Sequence, residues 1–219
     1  MTAESPAPGR QVQPGGIAGL VLAAGESSRM APLGMHKALL DYRGRTFLEN
    51  IVATLQEGGV GPVVVVLGHG ADEIRRRLAG KLEPARMVVN RDYKRGQTTS
   101  LQVGLRALAA AEDEPRADAL ILCLVDHPTV LPETVQGLVK AFRQSGAPAV
   151  VPTHRNQGGH PVLISSSLFA ELSRLGLHEG ANTVIRKYRH ATQFLAVDDP
   201  GVLVDVDDPE SYDELVRSP

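Results

Sequence analysis

At 219 residues, against a soft prior of about 150 per domain, the chain has room for one large α/β domain more readily than for two, and it is long enough to bury a sizeable core. Hydrophobic residues at 42%, charged residues at 22% and a net charge of -2 exclude a disordered chain and a nucleic-acid-binding surface driven by bulk charge. The longest apolar run, Ala119 to Val125, is far short of the roughly 20 residues that a membrane-spanning helix needs. Residues 1 to 16 carry Pro6, Pro8, Pro14, Gly9, Gly15 and Gly16, lack the apolar stretch of a secretory signal and read as a flexible tail ahead of a domain over 17 to 219. A single cysteine, Cys123, allows no internal disulfide and sits inside an apolar run, so a buried packing residue and a cytoplasmic protein are expected.

The first strand is expected at Ile17 to Leu22. Thr46 and Glu49 form a capping box ahead of Leu48, Ile51, Val52 and Leu55, which recur at helical spacing, and Gly58 with Gly59 supplies the stop. Val63 to Leu67 is a short, unalternating apolar run, as in a strand buried on both faces of a parallel sheet. Arg75, Arg76 and Arg77, beside Asp72 and Glu73, read as the solvated face of a helix. A strand candidate at Met87 to Val89 precedes a helix marked by Leu101, Leu105 and Leu108, and Ala119 to Val125 is a second buried strand. Pro132 suits the first turn, and Gly146 the stop, of a helix carrying Val135, Leu138, Val139 and Phe142. Further strand candidates are Pro148 to Val151, Pro161 to Ile164, Phe194 to Val197 and Val202 to Val204, with a long loop expected from Thr153 to Gly159. Asp208 and Pro209 read as N-cap and first position of a last helix with Tyr212, Leu215 and Val216. Strands alternating with helices predict one three-layer domain around a mainly parallel, doubly wound sheet, whose ligands bind beyond the carboxyl ends of the strands.

At that edge the first strand runs into Leu22, Ala23, Ala24, Gly25, Glu26, Ser27, Ser28, Arg29 and Met30, with Lys37 further on. Small residues admit a close backbone approach, successive N–H groups can converge on phosphate oxygens, and Arg29 and Lys37 supply positive charge. No Gly-Lys-Ser/Thr follows at P-loop spacing and no GxGxxG occurs, and a small-residue turn with two surface cations has the same composition. Asp126, directly after a buried strand, is placed to hold Mg2+ against a triphosphate or to cap a turn near Pro128. The hydroxyls of Thr98, Thr99 and Ser100 either cap their helix or face a base. The seven histidines lack zinc-ligand spacing.

Five motifs stand in order. LAAG with Ser, Arg-Met and Lys-x-Leu-Leu, the segment Arg95 to Leu105, Asp126-His127-Pro128, Gly159-His160-Pro161-Val162-Leu163 and Val204 to Glu210 together resemble the MobA-like branch of the nucleotidyltransferases with a Rossmann-like fold. Within it the molybdenum cofactor cytidylyltransferase type is the most similar, since LAAG is closer to the cytidylyltransferases than LAGG is. The resemblance implies an enzyme that transfers CMP from CTP to a phosphorylated acceptor, molybdopterin cofactor in the first instance, with release of pyrophosphate and with a molybdoenzyme as possible partner. Nucleotide binding is implied for Leu22, Ala23, Ala24, Gly25, Ser27, Ser28, Arg29, Lys37, Thr98 and Ser100, and catalysis for Arg29, Lys37 and Asp126. Mg2+ would be held by Asp126 and Asp207, and the acceptor by His127 and His160, each of which can equally be a packed histidine. Strand alternation favours Asp207 over Asp205 as the second ligand. The chain departs from the pattern in Ala31, in Gln97, and in His178-Glu179-Gly180-Ala181-Asn182, which falls in the stretch from 153 to 182 where the acceptor would bind. A different phosphorylated acceptor, or a non-catalytic accessory protein that binds nucleotide or cofactor, are the alternatives.

Overall fold

The computed structural model describes residues 16–110 and 116–217. The expected tail therefore lies, apart from Gly16, outside the described residues. The two apolar runs form the middle of the sheet: β1 (Ile17–Ala23), β4 (Val63–Leu67) and β6 (Ala119–Leu124) are adjacent and parallel, with Leu20 opposite both Val64 and Leu122. Further strands are β2 (Asp41–Tyr42), β3 (Arg45–Thr46), β5 (Arg86–Val89), β7 (Ala149–His154), β8 (Gln157–Gly158), β9 (Val162–Ser165) and β10 (Gln193–Ala196). The main sheet runs β10-β7-β9-β6-β1-β4-β5, with β8 paired to β7, while β2 and β3 form a separate ribbon. Only β9 and β8 run antiparallel in the main sheet, so the expected mainly parallel architecture holds.

Alternate residues of the central strands enter two cores. Val21, Val65, Ile121 and Cys123 pack with helices α1 (Phe47–Glu57), α2 (Ala71–Arg77) and α4 (Pro132–Ser145). Leu20, Leu22, Val66 and Leu122 pack with α3 (Gln97–Ala109), α5 (Phe169–Leu172) and α6 (Ala181–Lys187) on the other face. The local signals act as read. Thr46 Oγ1 accepts from the Glu49 N–H while a Glu49 carboxylate oxygen accepts from the Thr46 N–H, and Gly146 ends α4 at φ 62°. Asp208 Oδ1 accepts the Ser211 N–H at 2.9 Å, capping α7 (Pro209–Arg217). Cys123 is buried, and burial pushes its thiol pKa up, which suits packing rather than reactivity. Gly104 lets α3 lie close on the sheet, since a Cβ there would come 2.2 Å from Leu20 Cδ1.

Two expectations fail. Thr153 to Gly159 is a hairpin rather than a long loop: β7 turns into β8 through Arg155 and Asn156, both at positive φ (50° and 65°), the geometry that tight hairpins prefer. Val202 to Val204 is no strand; Pro200–Leu203 forms a 3-10 turn, because Pro200 has no N–H for a ladder and the Asp199 carboxylate accepts from the Gly201 N–H at 2.9 Å. Among the described residues no helix is long and apolar enough to cross a membrane.

Candidate active site

The carboxyl ends of β1 and β6 open beside each other because their registers match from Ile17 opposite Ala119 to Leu22 opposite Leu124. The small-residue loop leaves β1 there, and a Cβ built on Gly25 meets nothing within 4 Å, so its backbone is open to a ligand. Beneath the loop, Met30, Leu40, Phe47 and Val206 form a small apolar cluster, with Tyr212 of α7 against it. That cluster places the segment after residue 203 alongside the loop. The Val206 N–H donates to the Asp126 carbonyl at 3.0 Å and fixes the same segment against the end of β6.

Arg29, Lys37, Asp126 and Asp207 thereby converge. Asp207 accepts from Arg29 Nη2 at 2.5 Å and from Lys37 Nζ at 2.8 Å, and Lys37 Nζ lies 3.9 Å from Asp126 Oδ2. Lys37 is buried at 6% exposure, so its charge is directed inward to these carboxylates. A cleft lined by Leu22, Gly25, Ser27, Ser28, Arg29 and Lys37 on one side, and by Gln97, Asp126 and Asp207 on the other, joins them to the loop. Partial burial raises the Asp207 pKa, but Lys37 and then Arg29 outweigh it and hold the carboxyl below its usual range. Asp205 goes the other way: partial burial, then the charges of Asp126 and Asp207, push its pKa up.

With no strand before Asp207, the alternation argument for choosing it over Asp205 lapses. The two face different neighbours. Asp207 is engaged by the cations, whereas one ligand atom from each of Asp126, His127 and Asp205 lies within 4.8 Å of the other two. Asp126 Oδ1 is buried and has no hydrogen-bond partner. A buried, unpartnered carboxylate oxygen among further oxygen donors suits a divalent cation.

The helix α3 hydroxyls are turned inward. Thr98 Oγ1 donates to the Glu179 carbonyl, and the buried Asn90 amide donates to Thr99 Oγ1 at 2.8 Å and Ser100 Oγ at 2.9 Å. Gln97, not among the expected site residues, lines the cleft instead; its place at the first position of a helix following Gly96 was the available signal. On the other side of Asp126 the rings of His127 and His160 lie 4.9 Å apart and share an apolar hollow with Ile51, Cys123 and Pro161.

Burial, then the neighbouring His127, pushes the His160 pKa down to about 4 from its ordinary value near 6.5. The folded protein thus keeps His160 neutral while the unfolded chain takes up a proton below about pH 6.5. Stability from this group is present at neutral pH and is lost as pH falls towards 4. In chelator-treated protein, urea unfolding at pH 5 is expected to show roughly 2 kcal/mol less stability than at pH 7 from this group. His160→Gln should flatten that slope, and an equal slope in the variant would remove the assignment.

Comparisons with known proteins meet this geometry. A model of the MobA-like NTP transferase domain matches residues 19–192. Nicotine blue oxidoreductase of Paenarthrobacter nicotinovorans is 32% identical over 206 residues, covering 91% of this chain and 96% of that protein. The bifunctional IPC transferase and DIPP synthase of Rubrobacter xylanophilus is 36% identical over 57% of this chain, which spans only 27% of that protein. Among solved structures, Rv0371c of Mycobacterium tuberculosis superposes with a TM-score of 0.80 at 32% identity, covering 94% of this chain and 100% of that one. Its complex with manganese gives 0.75 at 30%, covering 93% and 100%. A CMP:2-keto-3-deoxy-manno-octonic acid synthetase complexed with CTP shares the fold at a TM-score of 0.67 and 16% identity, over 91% of this chain and 96% of that one.

Proposed function

The chain belongs to the MobA-like NTP transferase family of nucleotidyltransferases, and we propose that its domain over residues 17 to 219 transfers CMP from CTP to a phosphorylated small molecule. The acceptor of this reading is molybdopterin cofactor, the compartment is the cytoplasm, and the product would serve a molybdoenzyme. One observation carries it: Arg29, Lys37, Asp126 and Asp207 meet at the mouth of the small-residue loop.

The backbone of Ala23 to Ser28 approaches the triphosphate, and Lys37 with Arg29 neutralises its oxygens. Both cations are held by Asp207 in the free protein, so substrate must take over pairings that already exist. Asp126 and Asp207 would hold Mg2+, which supplies charge neutralisation and polarises the phosphoryl oxygens when bound. An acceptor phosphate oxygen, ionised at neutral pH, bonds to the α-phosphorus as the bond to the β-phosphate oxygen breaks, and pyrophosphate leaves. No protein nucleophile is required. His127 and His160 line the side from which the acceptor arrives. For the base side, Thr98 and Ser100 act by positioning the first turn of α3, through their bonds to Glu179 and Asn90, rather than by direct contact.

A thermal-shift titration with CTP, GTP, UTP and ATP, each with and without Mg2+, tests this. Ligand at about one hundred times its Kd stabilises by about 2.7 kcal/mol. A Mg2+-dependent shift selective for CTP, with pyrophosphate released on adding acceptor, is expected; a GTP-selective shift would move the assignment to guanylyl transfer, and no shift would remove it. The full-length likeness to nicotine blue oxidoreductase favours one second reading, a redox enzyme on the same scaffold. Oxidation or reduction of nicotine blue by the purified chain, without any pyrophosphate release, is the result that would select it.

A further inference from the structure

The carboxylate of Asp126 faces two ways. Its Oδ2 lies 3.9 Å from Lys37 Nζ, on the side where Asp207 and Arg29 meet. Its Oδ1 turns to the opposite side, 3.8 Å from His127 Nε2. That separation is too long for a hydrogen bond, and Oδ1 is buried without any other donor. Asp205 completes the arrangement, because one ligand atom from each of the three residues lies within 4.8 Å of the other two. Atoms bound at about 2.1 Å to one ion from different directions stand roughly 3 to 4 Å apart, which the Asp126–His127 pair already satisfies.

We propose that Asp126 Oδ1, His127 Nε2 and Asp205 form a second cation position, on the acceptor side of Asp126, that takes a borderline divalent ion such as Mn2+ ahead of Mg2+. The donor set decides the selectivity. Mg2+ prefers an all-oxygen octahedron and gives up its waters reluctantly, whereas an imidazole nitrogen suits first-row transition ions. The His127 ring is 11% exposed in its side chain and stacks at a tilt of 37° on His160, so its Nε2 is held towards the carboxylates. Two carboxylates that otherwise repel across this space gain a common partner. An ion there would lie between the cleft that holds Lys37 and Asp207 and the His127–His160 hollow, and would supply positive charge to an acceptor phosphate. The functional role rests on the nucleotidyl-transfer reading, but the ion position does not need nucleotide to form.

Chelator-treated, nucleotide-free full chain is titrated with Mn2+ and followed by electron paramagnetic resonance, with spin-echo modulation reporting coupling to an imidazole nitrogen. One Mn2+ per chain with nitrogen coupling is expected, and about a tenfold excess of Mg2+ should not displace it. His127→Met keeps volume but removes the nitrogen; it should lose the coupling and at least about tenfold in Mn2+ affinity. Asp205→Asn should lower affinity while keeping the coupling, which serves if the first variant fails to fold. Absence of nitrogen coupling in the wild type, displacement by equimolar Mg2+, or unchanged affinity in both variants would overturn the proposal. The Mg2+-dependent CTP shift is read separately: if the wild type shows it without nitrogen-coupled Mn2+, nucleotidyl transfer stands and this position falls. Nitrogen-coupled Mn2+ without any nucleotide shift means the reverse, that the ion position stands and nucleotidyl transfer falls.

Discussion

Asp126→Ala is expected to lower nucleotidyl transfer by at least about 10³-fold, some 4 kcal/mol of transition-state stabilisation, without lowering the thermal midpoint. The activity loss follows from position: Asp126 is the carboxylate shared between the Lys37–Asp207 side and the His127–Asp205 side, so no neighbour replaces both of its oxygens. The stability expectation follows from what the side chain lacks. Asp126 Oδ1 has no hydrogen-bond partner, its charge contributes to holding the Asp205 pKa up, and Lys37 keeps its shorter contact to Asp207 at 2.8 Å. The bond that fixes the neighbouring segment uses the Asp126 carbonyl, which the substitution leaves in place. Removing a negative charge from a crowded, metal-free cluster therefore leaves the fold as stable or slightly more so. The checks are pyrophosphate release and a melting curve of the metal-free variant. Near-normal turnover would end the metal assignment, and a collapse of the melting point would show that Asp126 is structural.

What the sequence reveals and what it conceals divide along the range of the interactions. Thr46 with Glu49, Pro132 with Gly146, and Asp208 with Ser211 act within four residues or mark helix ends, so they are legible without knowing the fold. The apolar runs at β1, β4 and β6 betray burial on both faces. By contrast, the β7–β8 turn uses Arg155 and Asn156 at positive φ, a pair without the glycine that would have announced it. The inward bonding of Thr98 and Ser100 depends on Glu179 and Asn90, the former 81 residues away from Thr98, and spacing within α3 carries no trace of it. The convergence of Arg29 and Lys37 on Asp207 spans 178 and 170 residues, so only the order of motifs pointed to it. The choice between Asp205 and Asp207 failed as an argument for a related reason: it assumed a strand where an adjacent cap, itself held by a helix 65 residues away, starts a 3-10 turn.

That cap is Asp199, and its substitution carries a large expected stability effect away from the site. Its carboxylate is buried at 3% exposure and accepts from the Leu131 N–H at 3.0 Å, Thr134 Oγ1 at 2.6 Å and the Gly201 N–H at 2.9 Å. Two of these donors sit at the start of α4, the N–H of its N-cap residue Leu131 and the hydroxyl of Thr134 in its first turn, where the helix dipole favours a negative charge. The third starts the 3-10 turn, so one carboxylate joins α4 to the segment that carries Asp205 and Asp207. Asp199→Ala strands three donors, two of them in buried bonds, and since bonds to a charged acceptor are worth about 1.5 to 3 kcal/mol each with partial recovery by the Thr134 hydroxyl and by solvent at Leu131, a loss of about 4 kcal/mol is expected. Asp199→Asn keeps one carbonyl acceptor and should cost about half as much. Urea unfolding of the three proteins at neutral pH checks the order. A second readout follows from the linkage: with the 3-10 turn loosened, the His160 N–H to Val202 carbonyl bond at 2.9 Å and the Val206 N–H to Asp126 carbonyl bond at 3.0 Å lose their fixed partners. Nucleotide affinity should then fall even at temperatures where Asp199→Ala remains folded, whereas a variant that is merely less stable would bind CTP as the parent does.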